Sequence, residues 1–386
     1  MPALTSDHVR DVLALAGGGS SPGTATLLRA LDAADDEPAP VAAVVRCLAR
    51  AGADGHSVLP AELLTEMLLG QGASPDQAAA AITGAVDLGH VLAFGAEEAE
   101  ERDEADGPGD GSPAAEVMLS LAEIGMAEEA VAEALAHLLA TTDVVLVDLP
   151  HGGARPDGAG VVDLRNADIV AAASLLEQAA EASRIVLLGD SGLPAPGGPG
   201  QLVTDLLAVA ADIGLRVEAG APDGGAAGAV ITGLCAAVRA GMLPRVDDPT
   251  REVVVVRAAD GAEAAHRAGQ LVTDSLPRAL GLSGDDVAVV TPLRRGPAGA
   301  DALRAAGLPA VTARAAMGRT WPGVVAVLPP EACGVLSRPL VYAMFSRAER
   351  HLSVVHAAGP VLARAVRETG ARPRRTRLSA LLRAGV

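Results

Sequence analysis

Few residues of this chain have the types and spacing that catalysis demands. Phosphoryl transfer on a P-loop needs amides that cradle phosphates, a lysine on the β- and γ-phosphates, and a Ser or Thr hydroxyl on Mg2+. The chain has no lysine, and all 30 of its basic residues are arginine. Gly18–Gly23 (GGSSPG) has the GxxxxG spacing, but Thr24 and Ala25 stand where Lys and Ser/Thr belong. It reads as an interhelix loop. Cys47, Cys235 and Cys333 are far apart, and no Cys/His spacing suggests zinc. They read as buried thiols of a reducing cytosol. His56 and His151 sit in loops with no partner visible in the sequence.

Only four residues are aromatic, so the cores must be built from Ala, Val and Leu. The net charge of −18 is unevenly spread. Residues 1–140 carry 24 acids against 5 arginines, net −19, and residues 141–277 carry 18 against 9, net −9. Residues 278–386 carry 6 acids against 16 arginines, net +10. Only this last third can attract a polyanion, and the first third repels one. No apolar run is long enough to span a membrane, and the N-terminus lacks a basic segment leading into an apolar one. A cytoplasmic location without membrane partners is expected.

The elements that would position such residues follow from periodicity. Residues 1–95 read as short helices, with Ser74–Pro75 as a cap and first position, and VLAF (91–94) as a strand, together a winged-helix-like domain. Residues 96–113 are acidic, then rich in Gly and Pro, and read as a linker. Residues 114–140 read as a connecting helix. Strand patterns then recur at 144–150, 158–164, 184–190, 251–258, 286–293, 310–313, 323–329 and 351–357, with helices between most of them. That alternation predicts an α/β fold with parallel sheets. A break at GMLPRVDDPT (241–250) divides it into lobes at 141–245 and 250–372, followed by a basic tail, 373–386.

From residue 161 onward the order of short motifs resembles RecD-like superfamily 1 DNA helicases. Asp163, closing VVDL, stands at the Walker B aspartate, with Leu164 where the family has glutamate. RIVLLGDSGLPAPGGPGQLVTDLL carries Gly189, Asp190, Leu193, Pro194 and the Gly198–Pro199–Gly200 turn, without the family's glutamine. VAVVTPLRRG resembles the entry strand of the second lobe, with Thr291, Arg294 and Arg295. AVTARAAMGRTW resembles the motif coupling DNA to nucleotide, with Met317–Gly318–Arg319–Thr320 replacing Gln-Gly-x-Glu. Ser346–Arg347–Ala348 stands where the family has Thr-Arg-Ala.

The resemblance implies a helical N-terminal domain followed by two RecA-like parallel α/β lobes. The first lobe is truncated. Only about 20 residues separate the helix end at Ala140 from Val161, whereas one crossover unit needs about 30. ATP and Mg2+ are implied by the resemblance alone. The family positions for nucleotide are Asp163, Gly189, Asp190, Gly318 and Arg347, and Asp163, Asp190 and Arg347 are vestigial catalytic positions. Arg347 would meet a γ-phosphate or, failing that, pair with an acid such as Asp190. Positions for DNA are Thr291, Arg294, Arg295, Thr312, Arg314, Arg319 and Trp321, with the ring of Trp321 either stacking on a base or plugging a core. The basic tail either touches nucleic acid or is solvated. Loss of the P-loop lysine and the Walker B glutamate argues against ATP hydrolysis. A module binding single-stranded DNA or a DNA-repair protein is expected, with no metal. A helicase with an atypical nucleotide site and a protein–protein adaptor are the rivals.

Overall fold

The computed structural model describes residues 4–15, 21–95, 116–153, 156, 160–179, 182–220 and 228–385. The expected linker 96–113 lies outside them, as do Gly18, Gly19 and Ser20 of GGSSPG.

The N-terminal third opens with α1 (Ser6–Leu15), α2 (Pro22–Ala34) and α3 (Ala39–Ala53). Then follow β1 (Leu59–Pro60), α4 (Ala61–Leu69), α5 (Pro75–Asp87), β2 (Val91–Phe94) and β3 (Met118–Leu121). The three strands form an antiparallel sheet in the order β1-β3-β2. α5 starts at a reciprocal cap: the Ser74 hydroxyl accepts from the Gln77 amide, and the Gln77 side chain accepts from the Ser74 amide. Ser74→Ala should cost about 1 kcal/mol in thermal unfolding, because it strands one orphan amide of the first turn.

The expected helix over 114–140 begins later, as α6 (Ala122–Thr141). Met118–Leu121 is instead a strand, because its backbone pairs with both β1 and β2 while Leu119 and Leu121 are buried. Local propensity alone did not separate the two.

The next lobe contains β4 (Asp143–Asp148), β5 (Val161–Asp163), α7 (Ile169–Ala179), β6 (Arg184–Gly189), α8 (Leu202–Val209) and β7 (Arg216–Ala219). Its strands are parallel, in the order β5-β6-β4-β7. β4 and β6 are central and read as apolar runs because residues on both of their faces are buried, Val144, Leu146, Ile185 and Leu187 against helices and Val145, Val147 and Leu188 in a smaller cluster of their own. β7 is exposed at every position and carries Arg216 and Glu218, so it has no strand-like pattern in the sequence.

The other lobe contains α9 (Ala229–Arg239), β8 (Val253–Arg257), α10 (Gly261–Gln270), α11 (Leu276–Leu280), β9 (Val287–Thr291), α12 (Ala300–Ala305), β10 (Ala310–Thr312), β11 (Trp321–Leu328), α13 (Arg338–Phe345), β12 (Ala348–His356) and α14 (Pro360–Glu368). The sheet is parallel, ordered β10-β9-β11-β12-β8. The chain is thus α/β, with a mainly helical N-terminal domain ahead of two parallel lobes.

Two expected boundaries shift. The lobe division precedes α9, because Ile231, Leu234, Cys235 and Val238 pack into the core beneath β11 and β12. The expected basic tail is neither solvated nor free to meet nucleic acid along its length. It ends in α15 (Leu378–Ala384), whose Leu378 and Leu382 are buried in the core shared by the N-terminal domain and the first lobe. No described helix is long and apolar enough to cross a membrane.

Candidate interlobe site

Parallel strands deliver loops to the C-terminal edge of their sheet, and in open α/β folds ligands bind in the crevice outside that edge. In the first lobe this edge carries Asp148 closing β4, Asp163 closing β5, and Gly189–Asp190 at the end of β6. α9 and α13 of the second lobe face it, bringing Arg239, Tyr342 and Arg347.

Asp148, Asp190, Arg239 and Tyr342 make one polar cluster. The fully buried Tyr342 donates its hydroxyl proton to Asp190 Oδ2 at 2.7 Å and accepts from the His151 amide at 2.8 Å. The Gly192 amide donates to Asp190 Oδ1 at 2.9 Å. Arg239 Nη2 donates to Asp148 Oδ2 at 2.5 Å and to Ser191 Oγ at 2.6 Å. Its Nε stands 3.6 Å from Asp190 Oδ1. The Ser191 amide and hydroxyl both donate to Asp148 at 2.9 Å. Each lobe therefore supplies partners for the other's buried groups.

Burial sets the proton affinities here. It raises Asp190 above the usual carboxylate range, against the pull of the Tyr342 and Gly192 bonds. It raises the Tyr342 phenol and the buried Cys235 thiol. The His151 ring is pushed down to about 4 by burial and by the Arg347 charge, so it is neutral at neutral pH.

Of the five nucleotide positions expected from the sequence, Asp163, Gly189 and Asp190 share the C-terminal edge of the first sheet. Asp163 is held by its neighbour Arg165, whose Nε and Nη2 donate at 2.9 and 2.6 Å. Gly189 has no room for a side chain, since a Cβ would lie 2.8 Å from Val203. Gly318 has φ +76° and faces Asn166, where a Cβ would stand 3.0 Å from Nδ2. Arg347 is buried, but the expected pairing with Asp190 is not made. Its guanidinium donates to the Ala343 and Arg319 carbonyls and to Ser346 Oγ, because α13 turns it back onto its own helix end. Asp190 is served by Tyr342 and Arg239 instead.

The DNA positions scatter. Thr291 is fully buried and donates to the Ala298 carbonyl, so it offers nothing to a ligand. Trp321 is buried in the second core, with Arg319 stacked 4.7 Å from its ring centre. Its ring is the core plug, not an open stacking platform. Thr312 caps the Ala315 amide. Arg294 pairs with Asp301 and donates to the Ala14 carbonyl. Arg314 is exposed and reaches the Pro196 carbonyl across the lobes at 3.4 Å. Arg295 is exposed.

The residues around the crevice do not suit a nucleoside triphosphate. No described residue between Asp148 and Ile169 is helical, so among the described residues no helix N-terminus follows β4 to meet a phosphate. Asp148 and Asp190 would face the anion, and Asp190 is already bonded to Tyr342. Among the described residues no cluster of His, Cys, Asp and Glu could hold a metal. Sequence reasoning missed Asp148, Arg165 and Arg239. Each is an ordinary strand-end or helix-end residue whose partner lies far along the chain or, for Arg165, depends on a local turn.

No protein-family model matches the chain, and no curated protein matches it. Among solved structures it is similar to the arterivirus nonstructural protein 10 helicase, at 13% identity over 66% of this chain and 68% of that one, with a TM-score of 0.31. The complex of that helicase with DNA gives 14% identity over 67% and 70%, with a TM-score of 0.32. The PRRSV helicase gives 15% over 64% and 58%, with a TM-score of 0.30.

Proposed function

We propose that the chain is a helicase-like protein, related to RecD-type DNA helicases, that binds single-stranded DNA or a DNA-repair protein without hydrolysing ATP. The observation carrying this reading is the Tyr342–Asp190–Arg239–Asp148 cluster, which occupies the interlobe crevice with the protein's own side chains. An ATP-driven motor needs that crevice open to triphosphate and free to close on it. Here the lobes are bonded across it. The motif order in the sequence supports the ancestry, and the +10 charge of residues 278–386 supports contact with a polyanion through exposed arginines such as Arg295 and Arg314.

Steady-state ATP turnover, measured with and without single-stranded DNA, should stay at background. DNA-stimulated turnover would overturn the loss of hydrolysis and favour an atypical helicase site. Binding to a labelled oligonucleotide should appear at low salt and weaken steeply as salt rises. No binding at low salt would remove nucleic acid and leave the adaptor reading.

A further inference from the structure

Residues 371–385 cross from the second lobe to the far side of the molecule and end beneath a polar seam that the proposed function does not use. At its centre is Glu128 of α6, with no exposed surface. Glu128 Oε1 accepts from Ser57 Oγ at 2.6 Å and from the Arg377 amide at 3.1 Å. Oε2 accepts from that same amide at 3.4 Å. The Arg377 guanidinium turns away to Glu129, at 3.3 Å. Asp205 of α8 is also buried. Its Oδ1 accepts from Gln201 at 3.1 Å, and its Oδ2 has no partner at hydrogen-bond distance, although the Thr376 and Ser379 hydroxyls stand near enough to favour its ionised form. A buried carboxylate without a cation is costly, whereas the protonated acid is not.

We infer that the C-terminal strap is a proton-sensitive latch, seated on a protonated Glu128 and loosened when that carboxyl ionises. The geometry gives Glu128 this leverage because one oxygen joins three parts of the fold: Ser57 from the N-terminal domain, α6 itself, and the strap through Arg377. The strap's neighbouring bonds lie close by. The Ser57 amide donates to the Arg375 carbonyl at 2.9 Å, and the Arg375 amide donates to His56 Nδ1 at 2.9 Å. Lifting the strap would open the whole seam and solvate Glu128.

The ionisable and polar groups facing the seam are few. The N-terminal loop presents His56 and Ser57, and the strap presents Arg375, Thr376 and Arg377. α15 presents Ser379, α8 presents Gln201 and Asp205, and α6 adds Glu129. Burial pushes Glu128 up to about 7, with Asp205 adding to the push and the Ser57 and Arg377 bonds opposing it. Asp205 is raised by burial in the same sense. His56 is depressed, chiefly by burial and next by the Arg375 charge, so its protonation opposes docking toward acid, the reverse of the sense of Glu128. For an acid raised in the docked state, docking is strongest in acid. It weakens as pH climbs from the ordinary carboxyl range to about 7, and levels off above.

Amide hydrogen exchange of residues 371–385, corrected for the intrinsic pH dependence of exchange, tests this in the full chain. Opening should be about tenfold more frequent at pH 8 than at pH 6. Glu128→Gln keeps an oxygen for both donors and has no proton to lose, so its strap should stay protected equally at both pH values. Arg383→Ala breaks the exposed pair with Asp212 and should loosen the strap alike at both. Should Glu128→Gln not fold, Ser57→Ala removes a donor that favours the ionised form, and the pH response should grow. Equal wild-type protection at pH 6 and 8, an unchanged pH response in Glu128→Gln, or an unchanged one in Ser57→Ala would each overturn the latch. None of these outcomes depends on DNA binding or ATP turnover.

Discussion

Tyr342→Ala is expected to destabilise the protein by about 3–5 kcal/mol, the range for emptying a buried aromatic site. Tyr342 is fully buried in the second core, and its hydroxyl spans the lobes. The alanine variant therefore opens a cavity and also strands Asp190 Oδ2 and the His151 amide. Tyr342→Phe separates the two effects. It keeps the ring and loses only the hydroxyl, leaving a buried donor and a buried acceptor unpaired, at about 1–3 kcal/mol. Its pH dependence has a definite sign. The Tyr342 bond favours ionised Asp190, whose affinity for protons burial has already raised. Removing it raises that affinity further, so the Tyr342→Phe deficit should be smallest in acid and grow as pH rises past the ordinary carboxylate range. Urea unfolding at several pH values measures both. A Phe variant as stable as wild type throughout would show that the interlobe cluster does not hold the lobes together, and would reopen the crevice to ligand.

The two lobes were legible in the sequence because their central strands, such as LLG at 187–189 and VVAVL at 324–328, are apolar on both faces. That pattern arises where helices cover a parallel sheet, and it survives without any alignment. β3 and β7 were not legible, for opposite reasons. Met118–Leu121 runs straight into a helix with the same apolar composition, and only its pairing with β1 and β2 makes it a strand. Arg216–Ala219 is an exposed edge with charged alternate residues, so no burial marked it. The site was legible only in part. Asp163, Gly189 and Asp190 stand at strand ends, where the motif order puts them. Arg239, which reaches Asp148 and Asp190 from another lobe, had no local mark at all. At Trp321 the sequence leaves two readings open. An aromatic residue beside an arginine reads equally as a base-stacking surface or as a capped core, and its position opening the buried strand β11 decided for the core. The C-terminal arginines illustrate the same limit, since a run of positive charge reads as solvated unless carbonyl acceptors, which have no sequence signature, gather around it.

Those acceptors make Arg374 the strongest single anchor of the strap, and Arg374→Ala should cost about 3–4 kcal/mol. Its Nη1 donates to the Gly198 and Gly200 carbonyls at 2.9 and 2.6 Å, and its Nη2 to the Pro196 and Ala195 carbonyls at 2.7 and 3.4 Å. A bond from a charged donor is worth about 1.5–3 kcal/mol, and four on one group do not add in full. Burial lowers the guanidinium to about 10, with the charge of Arg314 acting in the same direction, so it remains protonated at neutral pH. Lysine cannot replace it, because one ammonium does not span acceptors arranged for a fork. Arg374→Lys should therefore recover only a minor share in thermal unfolding. Gly55 supplies an independent check. It has φ +98°, and a Cβ there would stand 2.2 Å from the Arg374 guanidinium. Gly55→Ala should displace the same group and also strain the backbone. In the Arg374→Ala background the collision is gone and only the backbone cost remains, so the double variant should be more stable than the two single losses summed. Strict additivity, with wild-type exchange protection retained in Arg374→Ala, would show that the strap is held by Leu378 and Leu382 alone.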